Sequence, residues 1–479
     1  MIVSDTPDSP PKSQGRILIE GINLTLRSGT GIATYARGLA AAARQIGFAT
    51  EVLVSTNRRI RAGDPELAEI ILLDGPRHYN LIHKGMIELR RLAGAPLGLR
   101  PSTIEQVGNT VVNPLPGLQG FDRIHAIAHL QDVERLHFLR HKRRLKLKLS
   151  DPPQIFHATR PAPLQVAGAA NIYTIHDVVP LRLPYTTADD KPYHLAMLRE
   201  LARTADHIVT VSEFSRRDII DLISVPPERI TNTYQTVEFP TELLAEDEVT
   251  VARALAQKHG LEYKDYFLFV GAIEPKKNIS RLIDAYAASG VRRPLVLAGG
   301  LGWMYTQDIE KINSERFLSF VANADGEFVP RRRVRHLSYL PLRDVVQLIR
   351  GARALLYPSI YEGFGLPAAE AMLLGTPVMT SKVASLPEIT GGAAQLVNPY
   401  DTEEMANAIR MLDEDDDLVR ELSERGVHRA RVFSASEHAA RITAIYRHFS
   451  TPNNAAPVPS PIDGSEITPT QPLPPSQSG

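Results

Sequence analysis

The sequence contains no cysteine. Disulfides and thiolate metal sites are therefore excluded, and a reducing compartment is expected. It also lacks net charge, because 54 basic residues balance 54 acidic ones. That balance gives no general attraction to nucleic acid or membrane, so any such contact needs a local patch. No apolar run approaches the ~20 residues that cross a bilayer. The opening MIVSDTPDSPPKSQG is polar and carries prolines, unlike a signal peptide.

What is present fits a globular chain. Its 479 residues imply two or three domains at about 100–200 residues each. A hydrophobic content of 43% and a charged content of 23% leave ample core. Residues 1–15 read as a disordered lead, and 451–479 as a Pro/Ser/Thr-rich tail with too little apolar surface to fold. Between them, short β-rich runs alternate with helical patterns. The strand candidates are RILIE, EVLVS, EIILLD, QIFHA, IYTIH, HIVTVS, FLFVGA, LVLAGG, RHLSYL, ALLYPS and PVMTS. Several are continuously apolar, as parallel strands covered on both faces should be. The alternation predicts two doubly wound α/β domains, 16–240 and 263–430, joined by a 241–262 linker. A last helical pattern within 431–450 stands apart from the second sheet and can pack back on the first domain. Residues 75–150 are the least legible stretch.

The most informative run is YEGFGLPAAEAM, residues 361–372. Gly363 and Gly365 permit a tight turn and close approach of a ligand. Pro367 suits the first turn of a helix. Glu370 then lies in that short helix, and Glu362 in the loop that feeds it. A helix N-terminus carries partial positive charge and free N–H groups, which suit a phosphate. Two carboxylates beside such a site fit a ligand with hydroxyls and phosphates. The same acids also suit a plain helix start that complements its own dipole.

Other positions add chemistry. Gly29 and Gly31 in RSGTGIAT precede a helix after the first strand, where Gly31 can offer its N–H to a phosphate; a plain tight turn fits equally. The pattern is not the full dinucleotide fingerprint, because Ala33 stands at the third glycine position. Lys276 and Lys277 in VGAIEPKKN stand where a lysine can neutralise a diphosphate, or where loop lysines are simply solvated. His176 and Asp177 follow a β-rich run, at a strand end where ligand loops form; the histidine suits a general base, a sugar-hydroxyl partner or a metal ligand, and a plain hydrogen-bonded loop pair fits equally. Asp413–Asp417 read as a solvated acidic helix start rather than a metal site. Leu139–Leu149 is strongly basic, and its Leu/Lys alternation suggests a lysine-guarded edge strand or an anionic-lipid contact. Arg331–Arg333 read as a shorter basic loop.

Together VGAIEPKKN, the Gly299–Gly300 and Gly302–Trp303 element, and YPSIYEGFGLPAAEAMLLGTPVMTSKVASLPEITGGAA resemble glycosyltransferase family 4. The resemblance covers 263–449 closely, and the first domain more loosely through RSGTGIATYAR, TIHD and VTVSEFSRRDI. It implies a retaining enzyme of the GT-B fold, closest to mannosyltransferase-like bacterial members that build surface polysaccharides. Such a fold is α/β, with two Rossmann-like domains facing a cleft and a C-terminal helix crossing back.

The resemblance also implies roles. Glu370 binds the nucleotide's ribose, and Glu362 contacts the donor sugar. N–H groups around Gly363, Phe364, Gly365 and Leu366 hold that sugar. Lys277, with Lys276, meets the diphosphate opposite Gly31, and His176 lies near the scissile bond. The donor is a nucleotide sugar, GDP-mannose first, and no metal or other cofactor is expected. The acceptor is a saccharide or lipid-linked saccharide. The setting is cytoplasmic, with peripheral contact at the inner membrane face and no nucleic-acid partner. A nucleotide-sugar epimerase or a non-catalytic sugar-nucleotide or glycan binder are the alternatives. Two departures stand out: Ala272 replaces the arginine many relatives carry, and Ala435 replaces a tryptophan before the last helix.

Overall fold

The computed structural model describes residues 14–25, 31–58, 60, 65–73, 98–104, 116–322 and 328–450. The lead up to residue 13, Gly29, the tail from 451 and much of 75–115 lie outside the described residues.

The first sheet has eight strands. They are β1 (Gly15–Glu20), β2 (Phe48–Thr56), β3 (Ser102–Ile104), β4 (Arg123–Ala128), β6 (Ile155–Ala158), β8 (Ala170–Thr174), β9 (His207–Thr210) and β10 (Ile230–Asn232). Strands β5 (Leu145–Leu147) and β7 (Leu164–Val166) form a separate parallel pair. The sheet order is 10-9-8-6-1-2-4-3, parallel throughout except for the antiparallel edge strand β3. Ile17, Leu18 and Ile19 of β1 are fully buried, as the run RILIE requires at the centre of a covered sheet. Helix α1 (Gly31–Gln45) packs on β1 and β2 through an alanine-rich face. Helix α2 (Pro65–Leu73) occupies the run EIILLD that was expected to be a strand. Its proline and preceding helix formers extend the segment beyond strand length, and Ile70 turns to solvent among buried neighbours. Helix α3 (Glu213–Ile223) starts at Ser212, whose hydroxyl accepts the Ser215 N–H at 3.0 Å.

The stretch expected as linker carries α4 (Glu248–His259), capped by Asp247 and ended by Gly260 in the left-handed region. The second sheet follows in the order 15-12-11-16-17-18, all parallel. Its strands are β11 (Phe267–Val270), β12 (Leu295–Ala298), β15 (Val334–Leu337), β16 (Ala354–Tyr357), β17 (Val378–Ser381) and β18 (Gln395–Val397). Strands β13 (Leu318–Ala322) and β14 (Phe328–Arg332) form an antiparallel hairpin, so Arg331 and Arg332 belong to a strand rather than a basic loop. Helices α5 (Ile279–Ser289), α6 (Leu342–Gly351), α7 (Leu366–Leu373) and α8 (Leu386–Thr390) belong to this domain. Both sheets reverse strand order beside their first strand, at β1/β6 and at β11/β16. Such a reversal opens a crevice at the C-terminal strand ends.

The basic run is not a free edge. Strand β5 pairs with β7, and Leu147 also bridges to Leu99. Leu145 and Leu147 are buried while Lys146 and Lys148 are exposed. The acidic run Asp413–Asp417 caps a helix: the Asp415 carboxylate accepts the Leu418 N–H.

The last helix, α9 (Ala435–Ser450), returns to the first domain and packs on α1. Tyr446 is fully buried there, and its hydroxyl lies 2.7 Å from Nδ1 of His157. Nε2 of His157 meets Thr174 at 2.9 Å, and the Tyr35 hydroxyl meets the same threonine at 2.9 Å. Burial first, and neighbouring histidines second, push His157 down to about 3, so it is neutral near pH 7. The two chain crossings between the domains run side by side: the Val237 N–H donates to the Phe433 carbonyl at 2.9 Å. Tyr446→Phe leaves a buried imidazole nitrogen without its partner. The expected result is a loss of about 1–3 kcal/mol in urea unfolding followed by circular dichroism, with the folded spectrum unchanged.

Candidate functional site

The second domain brings its charged residues to the crevice where its strand order reverses. After β11, Gly271 leads to Pro275, which turns the chain through Lys276 and Lys277. After β16, Tyr357 leads into the loop that carries Glu362 and then α7. The two loops meet. Lys277 Nζ donates to Glu362 Oε1 and to the Tyr357 hydroxyl, each at 2.6 Å. The Tyr357 hydroxyl donates to the same Glu362 oxygen at 2.8 Å. Lys276 Nζ lies 3.7 Å from Glu362 Oε2 and 3.8 Å from Glu274 Oε1.

Charge state follows from these contacts. Burial alone would raise the Glu362 carboxyl, but Lys277 and Lys276 hold it down to about 2. It is a fixed carboxylate, not a proton donor. Burial pulls Lys276 down, yet Glu362 and the other nearby carboxylates outweigh it, and its pKa is raised. Glu370, on the fifth residue of α7, has no such partner. Burial alone pushes it up to about 8. Sequence reading separated Lys277 and Glu362 into diphosphate and sugar ends, whereas the fold joins them in one ion pair. The Tyr357 hydroxyl, central to that cluster, was missed because its neighbours ALLYPS read only as a buried strand.

The loop between Glu362 and α7 is shaped by two glycines. Gly365 has φ +92° and opens α7 without a side-chain cap. Pro367 has no N–H, and the Ala368 and Ala369 N–H groups donate to the Gly365 carbonyl at 3.0 and 3.3 Å, so the Leu366 N–H is the opening donor that α7 itself does not use. Leu366 stands at the first helical position, before Pro367. Phe364 is buried and meets Phe433 edge-on at 5.1 Å, so its side chain anchors the loop. A Cβ on Gly363 would come within 2.5 Å of the His176 carbonyl oxygen. The two domains therefore abut here, and only glycine permits it.

Across that contact, His176 Nε2 donates to the Thr159 carbonyl at 2.9 Å. That bond makes Nδ1 the acceptor nitrogen of the neutral ring. Burial lowers its pKa, and the Tyr35 ring stands edge-on at 4.8 Å. Asp177 accepts the Val179 N–H at 3.0 Å. Gly31 is exposed as the first residue of α1, with open space where a Cβ would stand. Sequence reading also missed a polar cluster at the end of β1. Arg160 donates to Glu20 at 3.3 Å and to Glu134 at 2.6 Å, and Thr159 donates to Glu20 at 2.9 Å. Burial, only partly offset by Arg160, pushes Glu134 up to about 7. No metal-type spacing in the sequence flagged these residues, which lie far apart in the chain.

Residues 252–429 match the family model of glycosyl transferases group 1, and residues 30–233 that of a glycosyl transferase 4-like domain. The chain belongs to glycosyltransferase family 4. Among curated relatives, this family member is 34% identical over 271 residues to O-antigen chain mannosyltransferase B of Escherichia coli. That match covers 55% of the chain and 66% of the relative. It is 30% identical over 255 residues to MMP alpha-(1->4)-mannosyltransferase of Mycolicibacterium hassiacum, covering 52% of the chain and 56% of the relative. The matches to serotype-specific mannosyltransferases of Escherichia coli, at 27% identity over 268 residues, cover 54% of the chain and 31% of theirs. The chain thus spans less than two thirds of these relatives' length. Among solved structures, Anabaena HepE in complex with UDP-glucose has a TM-score of 0.59 at 15% identity, covering 90% of this chain and 99% of that one. Sucrose-phosphate synthase from Thermosynechococcus elongatus has a TM-score of 0.57 at 16% identity, covering 90% and 98%. The likeness shows the expected GT-B architecture.

The uncompensated Glu370 yields a test with a defined sign. Its folded pKa lies above the usual 4.5, so folding stability falls as pH rises from there and levels off above about 8. Glu370→Gln is expected to raise the melting temperature near pH ~9 and to leave it unchanged near pH ~4. Differential scanning calorimetry across that range reads the difference.

Proposed function

We propose that the chain is a retaining hexosyltransferase. It moves a hexose, mannose first, from a nucleoside diphosphate sugar to a hydroxyl of a saccharide or lipid-linked saccharide in polysaccharide synthesis. The observation that carries this reading is the pairing of Lys276 and Lys277 with Glu362 at the strand-order reversal, beside an unpaired Glu370. Two cations, a pinned carboxylate and an unpaired carboxylate suit the diphosphate, sugar and ribose of one elongated ligand. The names of the curated mannosyltransferases support the choice of mannose, and GDP-mannose is the first donor to try.

In this reading the bond from the anomeric carbon to the diphosphate oxygen breaks, and its electron pair leaves with the diphosphate. Lys276, Lys277 and the Leu366 N–H that opens α7 stabilise that developing charge. The acceptor oxygen bonds to the same face of the anomeric carbon. Its proton passes to the departing phosphate oxygen, so no protein base is required. Glu362 stays ionised throughout, orienting sugar hydroxyls and placing negative potential beside the cationic sugar. Neutral His176 offers Nδ1 as an acceptor for a sugar hydroxyl. Glu370 takes the two ribose hydroxyls, which restore hydrogen bonds that its burial removed. Lysine and backbone N–H groups carry the role a metal would otherwise have. The acceptor enters from the first domain's face. The setting is cytoplasmic, with the exposed Lys142, Arg143, Lys146 and Lys148 facing an anionic membrane surface.

Incubation with a panel of GDP- and UDP-hexoses and saccharide acceptors, read by mass spectrometry, tests the reading. Transfer with the anomeric configuration kept is expected. Turnover of the donor without acceptor, to an isomeric nucleotide sugar, would overturn it in favour of an epimerase. Lys277→Ala and Glu370→Ala are each expected to lower kcat/KM by about 10²-fold or more. Chelation with EDTA is expected to leave the rate unchanged.

A further inference from the structure

The loop that carries Glu362 is held from two directions. On its own domain's side, the Ser385 hydroxyl donates to the Glu362 carbonyl at 2.9 Å. The next carbonyl, that of Gly363, is held by the first domain instead. Ser212 Oγ donates to it at 2.6 Å and Ser215 Oγ at 3.1 Å. Both serines are fully buried, so no water substitutes for them. Ser212 Oγ meanwhile accepts the Ser215 N–H, which leaves its own hydrogen directed at Gly363.

The second domain returns the contact. Glu388, on α8, accepts the N–H groups of Glu213 and Phe214 at 2.7 and 2.9 Å. It thereby satisfies two donors that open α3. The Tyr361 hydroxyl donates to Asp218, farther along α3. The α3 N-terminus is thus a two-way junction between the domains.

We infer that Ser212 and Ser215 are positioning residues that, through the Gly363 carbonyl, set the peptide meeting the transferred sugar only while the two domains are together. The geometry is direct. In a planar trans peptide, the carbonyl of one residue and the N–H of the next point in opposite directions. Fixing the Gly363 oxygen toward α3 therefore turns the Phe364 N–H away from it. Without the serines, Gly363 and Phe364 share a peptide free to rotate, since glycine imposes little backbone preference. Domain closure and sugar contact become one event. This inference rests on the donor reading given above.

The test compares binding of GDP and GDP-mannose by calorimetry, together with transfer kinetics, in Ser215→Ala, Ser212→Ala and Ser212→Thr. Ser215→Ala is the decisive variant, because Ser212 also caps α3 and its loss can unfold that helix. In Ser215→Ala, GDP affinity is expected to stay within about twofold, while GDP-mannose affinity and kcat/KM fall about fivefold to tenfold. Ser212→Thr keeps a hydroxyl and is expected to stay near wild type. Equal losses for GDP and GDP-mannose, or no change in either, overturn the inference alone. A wild-type chain that binds GDP-mannose no better than buffer overturns the donor reading, and this inference with it.

Discussion

A carboxylate that loses water must keep opposite charge beside it, and Glu362 shows what that demands. Its two oxygens are divided between Lys277 with Tyr357 on one side and Lys276 on the other. To make that arrangement, β11 and β16 must lie side by side, and each must end in a loop that turns toward the other. The parallel sheet, the reversal of strand order and the Pro275 turn all serve this meeting. Removing one member leaves a buried charge without compensation, which is far costlier than never building the pair.

Glu362 and Glu370 belong to one twelve-residue run yet obey opposite electrostatics. The first is driven down by cations and the second is driven up by burial alone. One is complete in the protein as it stands. The other has burial alone acting on it. A structure that tolerates an uncompensated acid in its second domain concedes stability at its candidate site.

Much of the fold was legible because its signals are local. Continuous apolar runs such as FLFV and ALLY announce covered parallel strands, and Gly365 with Pro367 marks where α7 begins. The run EIILLD failed for the same reason: six apolar and acidic residues carry no period that separates strand from helix, and the deciding residues lie upstream. The site was legible as separate letters but not as contacts. Lys277 and Glu362 are 85 positions apart, and Ser212 and Gly363 are 151 apart. Nothing in either neighbourhood records the other, since the pairing is a product of strand order and domain approach. The polar group around Arg160 was invisible for that reason as well.

The paired chain crossings carry a mechanical consequence. One crossing leads from the first domain to the second and the other leads back, and the Val237 to Phe433 hydrogen bond ties them into a single strap. Two bodies joined at one tied strap lose most independent sliding and twisting, and what remains is rotation about that strap.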